Sequence, residues 1–112
     1  MSKHGNLGEF EQLVLLAVLR LGKGAYGARL QEELSAQAGR EATVSSIYVT
    51  LTRLEAKGMV SSWMGEPTQV RGGKARRFFQ VEARGLAALN QARERLLAMW
   101  EGVQTASEGG GG

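Results

Sequence analysis

Between Thr43 and Arg84 the hydrophobic period of the chain changes once, and that change limits the folds open to it. Val44, Ile47, Leu51 and Leu54 recur at helical spacing. From Met59 onward the pattern alternates. Val60, Ser62 and Met64 share one side of a strand over 59–64, and Phe79 and Val81 share one side of a second over 76–81. The connection 65-GEPTQVRGGKA-75 holds the only proline and three glycines, so it is too long for a tight turn and reads as a flexible loop. The segment is therefore a helix followed by a hairpin with an extended tip.

The flanking elements are helical. A first helix is expected from about Gly8 to Leu21, with Phe10, Leu13, Leu16, Ala17 and Leu21 on one face and Val14, Leu15, Val18 and Leu19 over much of the rest. A helix apolar nearly all round is buried on more than one side. A second helix, about Tyr26 to Ala38, repeats Tyr26, Leu30 and Leu34 and stops at Gly39. The third begins at the N-cap Thr43 and ends at Gly58. A last helix, about Ala83 to Val103, sets Leu86, Leu89, Arg93, Leu96, Trp100 and Val103 at spacings of three and four. Nothing after it covers that seam, so a second copy of the chain is expected to do so. The fold class is mainly α with a small β-hairpin. The division is a flexible arm 1–7, a winged helix-turn-helix 8–82, a dimerisation helix 83–104 and a disordered tail 105–112 ending in four glycines.

At 112 residues the chain is one domain. It has no cysteine, which excludes disulfides, thiolate metal sites and cysteine nucleophiles and fits a reducing compartment. The single histidine, His4, lies in the polar lead and cannot hold a metal alone. The apolar run 13-LVLLAVL-19 is preceded by Glu9 and Glu11 and closed by Arg20, too short for a bilayer and wrongly flanked for a signal peptide. A cytoplasmic protein without membrane association, cofactor or metal is expected. Clustered carboxylates and a histidine in any plausible site are missing, so no catalytic residues are assigned.

Net charge is +3, but its placement matters more: Thr68 to Arg84 carries Arg71, Lys74, Arg76, Arg77 and Arg84 against Glu82 alone. Three helices, a basic hairpin and a further helix, in that order, make a winged helix with an added dimerisation helix. A B-form major groove admits one α-helix. Helix 43–57 would enter it, with Thr43, Ser45, Ser46, Tyr48, Val49, Thr52 and Arg53 facing the duplex. The 65–76 wing would lay Arg71, Lys74, Arg76 and the adjoining Arg77 along phosphates or the minor groove. Trp63 and Phe78-Phe79 read as hairpin packing rather than base-stacking platforms.

The segments 7-LGEFEQLVLLAVLRLG-22, 26-YGARLQEEL-34, 47-IYVTLTRLEAKGMV-60 and 72-GGKARRFF-79 resemble the PadR family of bacterial winged-helix transcription regulators. The resemblance covers roughly residues 7 to 89. It implies a dimeric, repressor-type regulator of operator DNA, with DNA contact at Tyr48 and wing contact at Arg76 and Arg77. Departures are the Phe78-Phe79 pair, where the family usually has tyrosines, and Val81-Glu82 before the last helix, where leucine-threonine is usual. A single short C-terminal helix matches the compact branch, so sensing through a further helical domain is not expected.

These readings combine into a homodimeric, sequence-specific regulator, a repressor of a nearby operon, bound to a pseudo-palindromic double-stranded operator. Phe10 and Leu13 are expected at the dimer interface beside the Leu86–Val103 seam. A cleft there, bordered by Leu96, Met99 and Trp100, would sandwich a small planar apolar effector between paired Trp100 rings. The alternative function is a winged-helix module for protein–protein or non-specific nucleic-acid contact.

Overall fold

The computed structural model describes residues 6–66 and 75–103. Four α-helices and one hairpin follow in the order α1 (Glu9–Leu21), a 3-10 turn (Gly22–Gly24), α2 (Gly27–Ala38), α3 (Val44–Ala56), β1 (Val60–Met64), β2 (Arg77–Val81) and α4 (Ala83–Trp100). The expected elements are all present, with ends shifted by a few residues at most. Arg71, Lys74 and the 105–112 tail lie outside the described residues.

Each helix starts or stops for a local reason. The Glu11 side chain reaches back to accept from the Gly8 N–H at 2.9 Å, half of a capping box. At α3 the Thr43 hydroxyl accepts from the Ser46 N–H at 3.0 Å. Gly39 ends α2 with a left-handed φ of 61°, a conformation that costs glycine nothing.

The core is assembled from α1 (Val14, Leu15, Ala17, Val18), α2 (Leu30, Leu34), α3 (Ile47, Leu51, Leu54) and the hairpin (Met59, Val60, Phe79). Leu89 of α4 joins it. Leu7 joins it too, which moves the beginning of the packed domain one residue into the expected arm; its carbonyl accepts from the Gln12 side chain at 3.1 Å. An apolar residue just before a helix N-cap lies close enough to the first turn to be buried.

The hairpin is antiparallel, pairing Val60 with Val81, Ser62 with Phe79 and Met64 with Arg77. Its free edge is shortened by the chain before α2: the Phe79 N–H donates to the Ala25 carbonyl at 3.0 Å, and Tyr26 bridges to Phe78. That extra pairing ties the hairpin to the helical body and leaves less of the edge open to foreign strands.

The first half of α4 packs on the segment that links α3 to β1. The Glu82 N–H donates to the Met59 carbonyl at 2.8 Å, and Arg84 donates to the Lys57 carbonyl at 3.3 Å. Although Glu82 is the N-cap residue, its side chain makes no cap bond; its carboxylate accepts instead from Ser61 and from Gln80. Gly85 lies directly on Met59, where a Cβ would overlap the carbonyl oxygen. Gly85→Ala is therefore expected to destabilise the fold by about 1–3 kcal/mol, the range for overpacking a tight contact. Urea unfolding measures this, and an unchanged midpoint would mean that the helix does not approach Met59 so closely.

Candidate nucleic-acid interface

The rotation of α3 about its axis is set by its underside. Ile47, Leu51 and Leu54 are fully buried, and Thr50 is 5% exposed. At 100° per residue, the opposite side then carries Ser45, Ser46, Val49, Thr52 and Arg53, all exposed. Five of the seven residues expected to face a duplex thus share one ridge.

Two of the seven differ from that picture, and one of the five is partly engaged. Tyr48 is half-buried: its ring lies 5.8 Å from that of Phe79, and its hydroxyl reaches the start of α2 at Gly27. Position 48 falls on the flank of α3 that faces the hairpin. Thr43 is exposed but employed as the N-cap, and the Ser46 hydroxyl donates to the Thr43 carbonyl at 2.9 Å. These two hydroxyls build the start of the helix as well as facing outward.

The hairpin stands along the Tyr48 flank. Arg76 is exposed, with its guanidinium 4.6 Å from the centre of the Tyr26 ring. Tyr26 meets Phe78 edge-on at 5.4 Å, and Phe78 stacks on Trp63 at 5.8 Å. The three aromatic residues are packed against one another and support Arg76, as the packing reading of Trp63 and Phe78 requires.

Arg77 is placed differently from the expected wing contact. Its Nε donates to Ser62 Oγ at 3.1 Å, and its Nη2 lies 3.8 Å from Glu55 Oε1. Ser62 Oγ in turn donates to Glu55 Oε2 at 2.9 Å. Arginine, serine and glutamate thereby link β2, β1 and the last turn of α3. Sequence counting treated Arg77 as free charge because Glu55 sits 22 positions away and only the fold brings them together.

On the C-terminal helix Leu86, Leu89, Arg93 and Leu96 line one groove of about 350 Å³ together with Gln12, Leu16 and Leu19 of α1. Leu89, at its floor, is 7% exposed and also belongs to the core of its own domain. Arg93 is held by Asn90, whose Oδ1 accepts from it at 2.7 Å. Phe10 and Leu13, expected here, are elsewhere: Leu13 borders a recess between α1 and α2, and Phe10 a concavity beside α3. An apolar run that covers all sides of a helix does not reveal which side meets which neighbour. Beyond Ala92 the helix is exposed all round, with Leu96, Leu97, Met99 and Trp100 uncovered and Met99 at 77%; Val103, just after it, is exposed as well.

Among the described residues no group of acidic or histidine side chains could hold a metal ion, and no helix is long and apolar enough to cross a membrane.

Residues 15–91 match the family model described as the transcriptional regulator PadR-like family. The fold matches a PadR-like transcription factor from Bacteroides fragilis at a TM-score of 0.66, with 24% identity over 82% of this chain and 84% of that one. A PadR family transcriptional regulator from Eggerthella lenta gives 0.64, with 25% identity over 84% and 81% of the two chains. A transcriptional regulator from Clostridium thermocellum gives 0.66, with 18% identity over 81% and 85%. No curated protein matches the chain significantly.

The link between Glu55 and Arg77 has a thermodynamic signature. Both groups are partly exposed, so the pair itself is worth no more than about 1 kcal/mol. A double-mutant cycle of Glu55→Gln and Arg77→Met is expected to show coupling of that order in unfolding free energy. Strict additivity of the two single changes would dismiss the link.

Proposed function

From the premise that this chain belongs to the PadR-like family of transcriptional regulators, we propose that it is a homodimeric, sequence-specific DNA-binding regulator that represses by occupying its operator. The observation that carries the reading is the exposed polar ridge of α3, with Arg53 on it and the ring-supported Arg76 on its hairpin flank. A helix locked by its apolar underside offers short hydroxyl groups and one long cation to base edges. Arginines and lysines beside it neutralise phosphates and set its register. Arg71 and Lys74 extend the same basic loop in sequence. A protein seated on a promoter blocks access to it, which is the repressor reading.

Dimerisation is supported by the uncovered end of α4. Leu96 is 57% exposed and Trp100 54% exposed, beside the open groove against α1. An apolar stripe of this length on a projecting helix is stable in water when a second copy covers it. Two-fold symmetry then puts two α3 ridges on one face of a duplex, with half-sites about one turn apart, ~10 bp. In the same dimer, Leu96, Met99 and Trp100 would border any cleft between subunits and form the apolar walls for a flat effector.

Two measurements test this. Selection of bound duplexes from a random pool is expected to enrich a two-fold symmetric sequence; a flat profile would instead favour a module without operator specificity. Sedimentation is expected to give a dimer for the native chain and a folded monomer for Leu96→Asp combined with Trp100→Asp. A dimer that survives both substitutions would move the interface elsewhere.

A further inference from the structure

We propose that Arg40, on the turn between α2 and α3, is a second, independent phosphodiester contact for the bound duplex, aimed by the ring of Phe10. The proposal rests on the DNA-binding reading above and adds to it a site on the side of α3 away from the hairpin.

The geometry is specific. Phe10, Arg40, Glu41, Thr43, Ser46 and Val49 line one open concavity of about 780 Å³. Ser46 and Val49 belong to the exposed ridge of α3, so Arg40 opens onto the same surface as that ridge. Position 48, which faces the hairpin, lies about 160° around the helix from position 46. Arg40 therefore flanks the ridge on the side away from the hairpin, which carries Arg76 over Tyr26.

The side chain is organised before any ligand arrives. Its guanidinium carbon lies 4.7 Å from the centre of the Phe10 ring. Stacking occupies the flat face of a guanidinium and leaves the N–H groups along its edge free to donate. The backbone is fixed as well: Gly39 is left-handed, and the Arg40 N–H donates to the Leu34 carbonyl at 3.1 Å. Arg76 over Tyr26, at 4.6 Å, repeats the arrangement on the hairpin.

Among the described residues no carboxylate forms an ion pair with Arg40; the ion pairs join Arg20 to Glu33, Lys57 to Glu11 and Arg77 to Glu55. Glu41 borders the same concavity, but its carboxylate is engaged on α2, where Oε2 accepts from Ser35 Oγ at 2.8 Å, and it makes no ion pair with Arg40. A cation held on a ring, beside a groove-entering helix and in no ion pair among the described residues, suits a phosphate oxygen. Its place on a turn at the edge of the ridge suits the backbone of the duplex rather than the base edges.

The test titrates the full chain against a duplex selected from a random pool and against a scrambled duplex, at several salt concentrations. Arg40→Gln is expected to reduce the slope of log affinity against log salt by about 0.9, the value for one phosphate contact. Both duplexes should weaken by the same factor, with the thermal midpoint unchanged. Arg20→Gln makes the same change in net charge at a paired site and is expected to leave the slope alone. Phe10→Leu is expected to weaken binding roughly two- to five-fold when Arg40 is present and to have no further effect in Arg40→Gln. An Arg40→Gln slope equal to wild type overturns the contact, and a change confined to one duplex overturns its assignment to phosphate. Additive losses for Phe10 and Arg40 overturn the role of the ring. Failure of the wild-type chain to bind any duplex would be different in kind, because it would remove the DNA-binding reading and this site together.

Discussion

Burial of Ile47, Leu51 and Leu54 is the constraint on which the rest of the surface depends. These three side chains fix α3 in rotation, and a helix has no freedom to choose its outer face once its inner face is set. A shift of one residue would turn the ridge by 100° and bring Ile47 or Leu54 into water. The hydrophobic effect therefore specifies the polar interface indirectly. What α3 offers to a partner is whatever its packing against α1, α2 and the hairpin leaves outside.

Charge is handled by two separate devices. Arg20, Lys57 and Arg77 are matched with Glu33, Glu11 and Glu55 and join one element to another. Arg40 and Arg76 rest on Phe10 and Tyr26. A guanidinium paired with a carboxylate has lost much of its pull on an external anion, whereas one stacked on a ring keeps it. The modest net charge of +3 hides this division, since structural and available cations count alike in a sum.

Much of this was legible in the sequence. The switch in period at Met59, the cap at Thr43 and the stops at Gly39 and Gly58 located the elements, and the spacing of Ile47, Leu51 and Leu54 located the ridge. What stayed hidden has a common cause. Periodicity assigns a residue to a face of its own element, but the identity of the neighbour on that face is a tertiary property. Phe10 and Leu13 were assigned to a dimer contact because α1 is apolar on all sides, yet they lie over α3 and α2. Leu89 lies in the groove with the rest of the seam, as its spacing implies, but its burial in the core is not announced by that spacing. Tyr48 looked outward in a helical projection and packs against Phe79, a contact across 31 positions that no local pattern announces. The basic character of Arg77 was plain and its acid partner was not, for the same reason.

The docking of Gly85 and Glu82 on Met59 has a mechanical consequence. Three residues separate α3 from β1, and a single residue separates β2 from α4. There is no slack between the helix that would read a duplex and the helix that would hold its twin. If two such bodies are joined through α4, the distance between their reading faces is dictated by rigid geometry rather than by a tether. An assembly of that kind behaves like a fixed-gauge caliper: it measures separation along the duplex as strictly as it reads the letters.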